Sequence, residues 1–159
     1  MRRVVVTGIG TINSTGHNVK DSFEAVVNGV CGIDTITLFD ASEFSVKIAG
    51  EVKDFDPTTV MDKKEVKKAD RFIQLGIKAA LEAMIDSGYV TQENKKVDAS
   101  IADRFGMISG SGIGGLSTIE RNSVVCETKG SRKVSPFFIP SSLANMLSGF
   151  ISIEHNLRG

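Results

Sequence analysis

The chain has no tryptophan, one tyrosine, three prolines, two histidines and two cysteines among its 159 residues. Each scarcity excludes something. Cys31 and Cys126 stand far apart, so they form neither a disulfide framework nor a zinc pair. His17 and His155 have no Cys, Ser or second His at metal-ligand or triad spacing. Both read as surface histidines, and the two cysteines as packed free thiols. Neither charge is in excess: 19 Lys plus Arg oppose 19 Asp plus Glu, and no global field recruits nucleic acid or a membrane. No apolar run approaches the roughly 20 residues that span a bilayer. Met1-Arg2-Arg3-Val4-Val5-Val6 enters a strand-like segment directly, without a signal-peptide core. These absences predict a soluble, cytoplasmic protein or a piece of one, with no metal or cofactor implied.

What is present is ordinary globular material, 41% apolar and 24% charged. Val4-Val5-Val6 reads as a strand buried on both faces, ended by Thr7-Gly8-Ile9-Gly10. Asn18 is placed to cap a helix carrying Phe23, Val26, Val27 and Val30 on one face, closed by Gly29 and Gly32. Val46 to Gly50 reads as a half-buried strand. Lys63 to Ser87 gives the longest helical periodicity, and Gly88 stops it. Tyr89 to Asp103 is polar and predicts an exposed loop. Arg104 to Ser109 reads as a second buried strand, followed by Gly110-Ser111-Gly112-Ile113-Gly114-Gly115 and a helix to about Glu127. Gly130 to Lys133 is a basic turn, Pro136 to Pro140 a rigid apolar loop, and a last helix starts near Ser141. Strands alternating with helices make the fold class α/β. About three strands are too few for a doubly wound sheet, so the expectation is an incomplete fold.

Three features invite a function. Gly110 to Gly115 satisfies the G-x-G-x-x-G pattern of an NAD(P)-binding turn, but lacks an acidic residue about 20 positions on. The plainer reading is a tight turn where two backbones pass closely. Lys63, Lys64, Lys67 and Lys68 put four cations at a helix start, against the helix dipole, and Arg132 and Lys133 extend the patch. An acidic protein or a phosphate-bearing ligand is the natural partner. Phe137-Phe138-Ile139 between prolines suits a core, an acyl pocket or a dimer interface. No nucleophile–base pair is present.

Four segments in register carry a resemblance: Val4 to Gly10, Asp70-Arg71-Phe72-Ile73-Gln74-Leu75-Gly76, Gly110 to Gly115 and Ser135-Pro136-Phe137-Phe138-Ile139-Pro140. Together they resemble the N-terminal part of the bacterial β-ketoacyl-ACP synthases, acyltransferases of the thiolase fold, over Arg2 to Gly159. The charged stretch Asn94 to Asp103 departs from that family. The resemblance implies a layered α-β-α-β-α fold, incomplete in this chain. It implies fatty-acid biosynthesis, in which an acyl thioester condenses with malonyl acyl carrier protein to give a 3-oxoacyl product and CO₂. It places the nucleophilic cysteine shortly beyond Gly159 and two histidines further on, so residues 1–159 alone are expected to be inactive. Lys64, Lys67, Lys68, Arg132 and Lys133 would dock the acyl carrier protein. Gly112 and Ile113 would gate the acyl pocket, and Phe138 would reach it across a homodimer interface. The alternatives are an NAD(P)-binding oxidoreductase domain and a non-catalytic module that binds acidic proteins.

Overall fold

The computed structural model describes residues 2–159. Its centre is a helix, here numbered α3 with the others in chain order: α1 (Val19–Val27), α2 (Lys63–Val66), α3 (Arg71–Asp86), α4 (Leu116–Lys129), α5 (Phe138–Ser142) and α6 (Met146–His155). Ile73, Ile77 and Leu81 recur every four residues on α3 and are all buried. Ile151 of α6, Val60 and Ala69 complete the core, with Phe72, Met146, Leu147 and Phe150 packed around it. Each aliphatic side chain fully buried here contributes roughly 1.5–3 kcal/mol. Gly76 lets α6 approach, because a β-carbon there would meet the side chain of Leu147.

The N-terminal segment lies along α3, and side chains supply its acceptors. Glu82 accepts from the amides of Thr11 (3.1 Å) and Val19 (2.8 Å), and Asp86 from that of Ile9 (3.0 Å). Gly10 passes so close to the helix that a β-carbon would overlap the carbonyl of Ala79. The expected strand Val4–Val6 is not one: it forms no ladder, and Val4 is 96% exposed. The same holds for Arg104–Ser109, where Ile108 is 96% exposed. A strand exists only through a neighbour. Among the described residues the one sheet is a two-residue antiparallel pair, β1 (Asp34–Thr35) with β2 (Ile48–Ala49), in the register Asp34↔Ala49 and Thr35↔Ile48. It shortens the expected strand Val46–Gly50. Asn18 does cap α1, accepting from the Asp21 amide, but the face with Phe23, Val26 and Val27 is exposed rather than packed.

Five other expectations are corrected. Lys63–Ser87 is two helices, because Asp70 takes a β conformation and its carboxylate caps a fresh helix at Arg71. Pro140 does not keep its segment out of a helix; it falls in the first turn of α5, where a missing amide hydrogen costs nothing. The last helix begins at Met146, not near Ser141. Tyr89–Asp103 is not a free surface loop, since Val90, Val97 and Ala102 are buried. The 95–97 backbone of that segment is bonded to the end of α6, whose His155 is fully buried rather than on the surface.

Candidate functional site

The basic cluster is built differently from its sequence reading. Lys63 and Lys64 open the four-residue α2 and Lys67 is its C-cap, so the cations flank a single helical turn at both ends and oppose no long-helix dipole. The argument that the lysines strain a long helix therefore fails. What remains is exposure: Lys63, Lys64 and Lys67 are exposed, with no acidic side chain in ion-pair range among the described residues. Lys68 differs. Its Nζ donates to Glu65 Oε1 at 2.6 Å and stands 5.4 Å from the centre of the Phe137 ring. Its carbonyl accepts the hydroxyl of Ser141. Lys68 therefore ties the lysine cluster to the segment that follows Arg132 and Lys133, which are exposed on a 3-10 turn packed on α4.

Asp70 joins this cluster to the glycine turn. One carboxylate oxygen accepts from Phe72 N (3.4 Å) at the start of α3, the other from Thr118 N (2.9 Å) at the start of α4. The N-terminus of α4, where a dinucleotide pyrophosphate would rest, thus already faces a carboxylate. Gly114 N donates to Ser111 Oγ and Gly115 N to Ser142 O, both at 2.9 Å. Gly114 adopts φ +82°, and its missing side chain admits the Ser142 carbonyl. The turn is a close backbone crossing, as its plainer reading expects. Sequence reasoning missed Asp70. Its signal was there: an Asp immediately before Arg71 in a helical pattern, the preferred cap residue.

The three acyl-pocket candidates lie on two elements. Gly112 has open space around it, Ile113 is 64% exposed, and Phe138 opens α5 between the exposed Phe137 and Ile139. None of them lines the cavity of about 760 Å³ that opens beside Lys67. That cavity has Leu38, Phe39 and Leu75 on its apolar wall, with Arg71 and Arg121 among its charged residues. Arg71 is already committed, donating to Val52 O (3.1 Å) and Phe55 O (3.3 Å) and stacking 5.0 Å from the Phe55 ring. Glu51, on the same wall, accepts from the hydroxyl and amide of Thr37. These bonds hold its carboxyl below its ordinary value of 4.5.

The residues that usually carry chemistry are scattered. Cys31 and Cys126 are both exposed free thiols, not packed ones. His17 packs edge-on against Phe55, with ring centres 6.0 Å apart. Among the described residues no three His, Cys, Asp or Glu side chains are grouped to hold a metal ion, and no helix is long and apolar enough to cross a membrane.

Comparison with known proteins gives this arrangement a context. The family model described as "Beta-ketoacyl synthase, N-terminal domain" matches residues 1–159. The chain is 45% identical over 158 residues to the 3-oxoacyl-[acyl-carrier-protein] synthase 2 of Coxiella burnetii, and 49% identical over 159 to that of Vibrio harveyi. Each match covers 99% of this chain and 37% of the relative, so the chain spans just over a third of their length. Among solved structures it superposes on a β-ketoacyl synthase from Burkholderia phymatum with a TM-score of 0.79 at 22% identity, covering 100% of this chain and 38% of that one. It also matches the ishigamide ketosynthase/chain length factor (TM-score 0.77, 28% identity, 99% and 37% covered). A third match is a type II polyketide ketosynthase solved with its acyl-carrier protein (TM-score 0.74, 23% identity, 99% and 40% covered). The fold is thus that of the thiolase-like ketosynthases, and the α/β expectation holds at that level. The two segments expected as strands form no ladder.

Proposed function

The chain belongs to the β-ketoacyl synthase family, as its N-terminal domain, and from that premise we propose that it serves fatty-acid biosynthesis as part of a longer condensing enzyme. The reaction joins an enzyme-held acyl thioester to malonyl acyl carrier protein and releases CO₂. In this reading residues 1–159 supply the carrier-docking surface and part of the acyl pocket, while the nucleophile lies outside them, and no cofactor or metal is required. The enzyme works in the cytoplasm as a homodimer, with Phe138 reaching the pocket across the interface and Gly112-Ile113 gating it. The exposure of Ile113, Phe137, Ile139 and Leu143 supports a covered interface at this face.

The observation that carries the reading is the set of exposed, unpaired cations at Lys63, Lys64 and Lys67, tied through Lys68 to the segment that follows Arg132 and Lys133. An acidic carrier protein is the matching surface. The test is carrier binding by the longer enzyme that contains this chain. Lys64→Glu with Lys67→Glu should weaken the affinity on the order of tenfold and flatten its salt dependence. Lys68→Glu should cost less, because Lys68 is already engaged by Glu65. Unchanged, salt-independent affinity in the double variant would refute the docking surface.

A further inference from the structure

The cleft of about 760 Å³ beside Lys67 has three walls, and each is tied to another. One is the start of α3, with Arg71, Gln74 and Leu75. The second is the start of α4, where Ser117, Thr118 and Arg121 share a face at helical spacing. The third is an arm made of Ile36, Leu38 and Phe39 after β1 and Glu51 and Val52 after β2. Asp70 joins the two helices, accepting from Phe72 N and Thr118 N. Glu51 closes the arm on itself, accepting from the amides of Thr37 (3.0 Å) and Leu38 (3.1 Å). Arg71 fastens the arm to α3 through the carbonyl of Val52 (3.1 Å). The volume lies in the range of about 300–1,000 Å³ that small-ligand sites occupy, and these bonds shape the cleft before any ligand arrives.

The same bonds decide which charges are left over. Both carboxylates of the walls, Asp70 and Glu51, are committed to backbone amides, and the Arg71 guanidinium to carbonyls. Gln74 is committed too, its Nε2 donating to the carbonyls of Val66 and Ala69. Lys67 and Arg121 remain. Both are exposed, with no acidic side chain in ion-pair range among the described residues. Beside them Ile36, Leu38, Val66 and Leu75 give an aliphatic surface, and the Phe39 ring is already paired with Phe44, centres 5.6 Å apart. A cation is repelled from such a cleft, and a metal ion finds no uncommitted carboxylate. A neutral apolar molecule would desolvate two cations without pairing them. An alkyl chain with an anionic head satisfies both halves. We propose that this cleft binds a single-chain anionic amphiphile, its carboxylate or phosphate head paired with Lys67 and Arg121 and its chain laid along Leu38, Phe39 and Leu75. The site shares Lys67 with the carrier-docking reading and adds Arg121, which that reading does not use.

The test titrates octyl phosphate, decyl phosphate and decanoate, each below its micelle concentration, into the longer enzyme that contains this chain. Calorimetry reads the affinity and amide hydrogen exchange reads the place. Segments 36–39 and 117–121 should gain protection, and each added methylene should tighten binding up to about fourfold. Arg121→Gln and Lys67→Gln should each weaken decyl phosphate about tenfold, and Arg121→Lys should recover most of that loss. Decanol should bind more weakly and ignore these substitutions. The tighter of decanoate and decyl phosphate names the head group. Leu38→Ser, at a position 81% exposed, should blunt the gain from chain length without threatening the fold. Protection only elsewhere, inorganic phosphate binding as tightly as decyl phosphate, or full affinity in Arg121→Gln would each overturn the site. If Arg121→Gln weakens carrier binding while decyl phosphate leaves both segments unprotected, the cleft belongs to a protein interface and the proposal fails. If Lys67→Gln weakens decyl phosphate but not the carrier, the docking reading fails and this site stands.

Discussion

Asp70 offers the sharpest perturbation, because one carboxylate serves two helix starts. Replacing it with alanine removes the N-cap of α3, a loss of about 1 kcal/mol. It also strands the Thr118 amide, whose acceptor at 2.9 Å lies in a buried bond. An unsatisfied buried donor costs about 1–3 kcal/mol. The sum is about 2–4 kcal/mol, which for a chain of this length lowers the melting temperature by roughly 5–15 °C. Asp70→Asn keeps one acceptor oxygen and loses the charge, so it should cost about 1–2 kcal/mol. With no tryptophan to report on unfolding, far-UV circular dichroism in urea is the suitable assay, read at constant m-value. A loss below about 0.5 kcal/mol for Asp70→Ala would refute the double-cap argument. Asn falling as far as Ala would show that charge, not geometry, holds the two helices.

Other perturbations separate neighbouring mechanisms. Gly10→Ala should destabilise by about 1–3 kcal/mol, because its new carbon meets the fixed carbonyl of Ala79. Gly76→Ala should cost clearly less, since it meets only the mobile tip of Leu147; equal losses in urea titrations would contradict this ranking. Glu51 is held below its ordinary value by Thr37, so its contribution is full above pH 4.5 and fades as pH falls toward its folded value. Acid titration of stability should therefore lose part of its slope in Glu51→Gln, and an unaltered slope would count against the bond's role.

Helix positions were legible where a local signal stood alone. Asn18 is a cap residue whose side-chain oxygen accepts from the amide three positions ahead, and the periodicity after Lys63 marks helix from local signal alone, though not which face is buried. The lysine run and the glycine turn were visible as well, and the missing acid after Gly115 correctly argued for close backbone passage. The failures share a cause: each depended on what lies opposite. Val4–Val6 and Arg104–Ser109 have strand composition, but a ladder is a property of two segments. His155 reads as polar beside Glu154, and only the fold shows that residues 95–97, some 60 positions away, cover it. Lys63 to Ser87 fooled periodicity because the stripe continues in phase through a break that one carboxylate creates.

A mechanical consequence attends the short stretch from Lys67 to Asp70. Within four residues it carries an exposed cation, a carbonyl gripped by Ser141, an ammonium leaning on Phe137, and the carboxylate that anchors α4. The aromatic segment and the glycine turn thus hang from a common bracket, with no lever arm longer than a few bonds. A load applied to the lysines reaches both roots at once. The set of the lysines and the geometry of the glycine turn cannot be tuned separately here: softening the bracket slackens the two together.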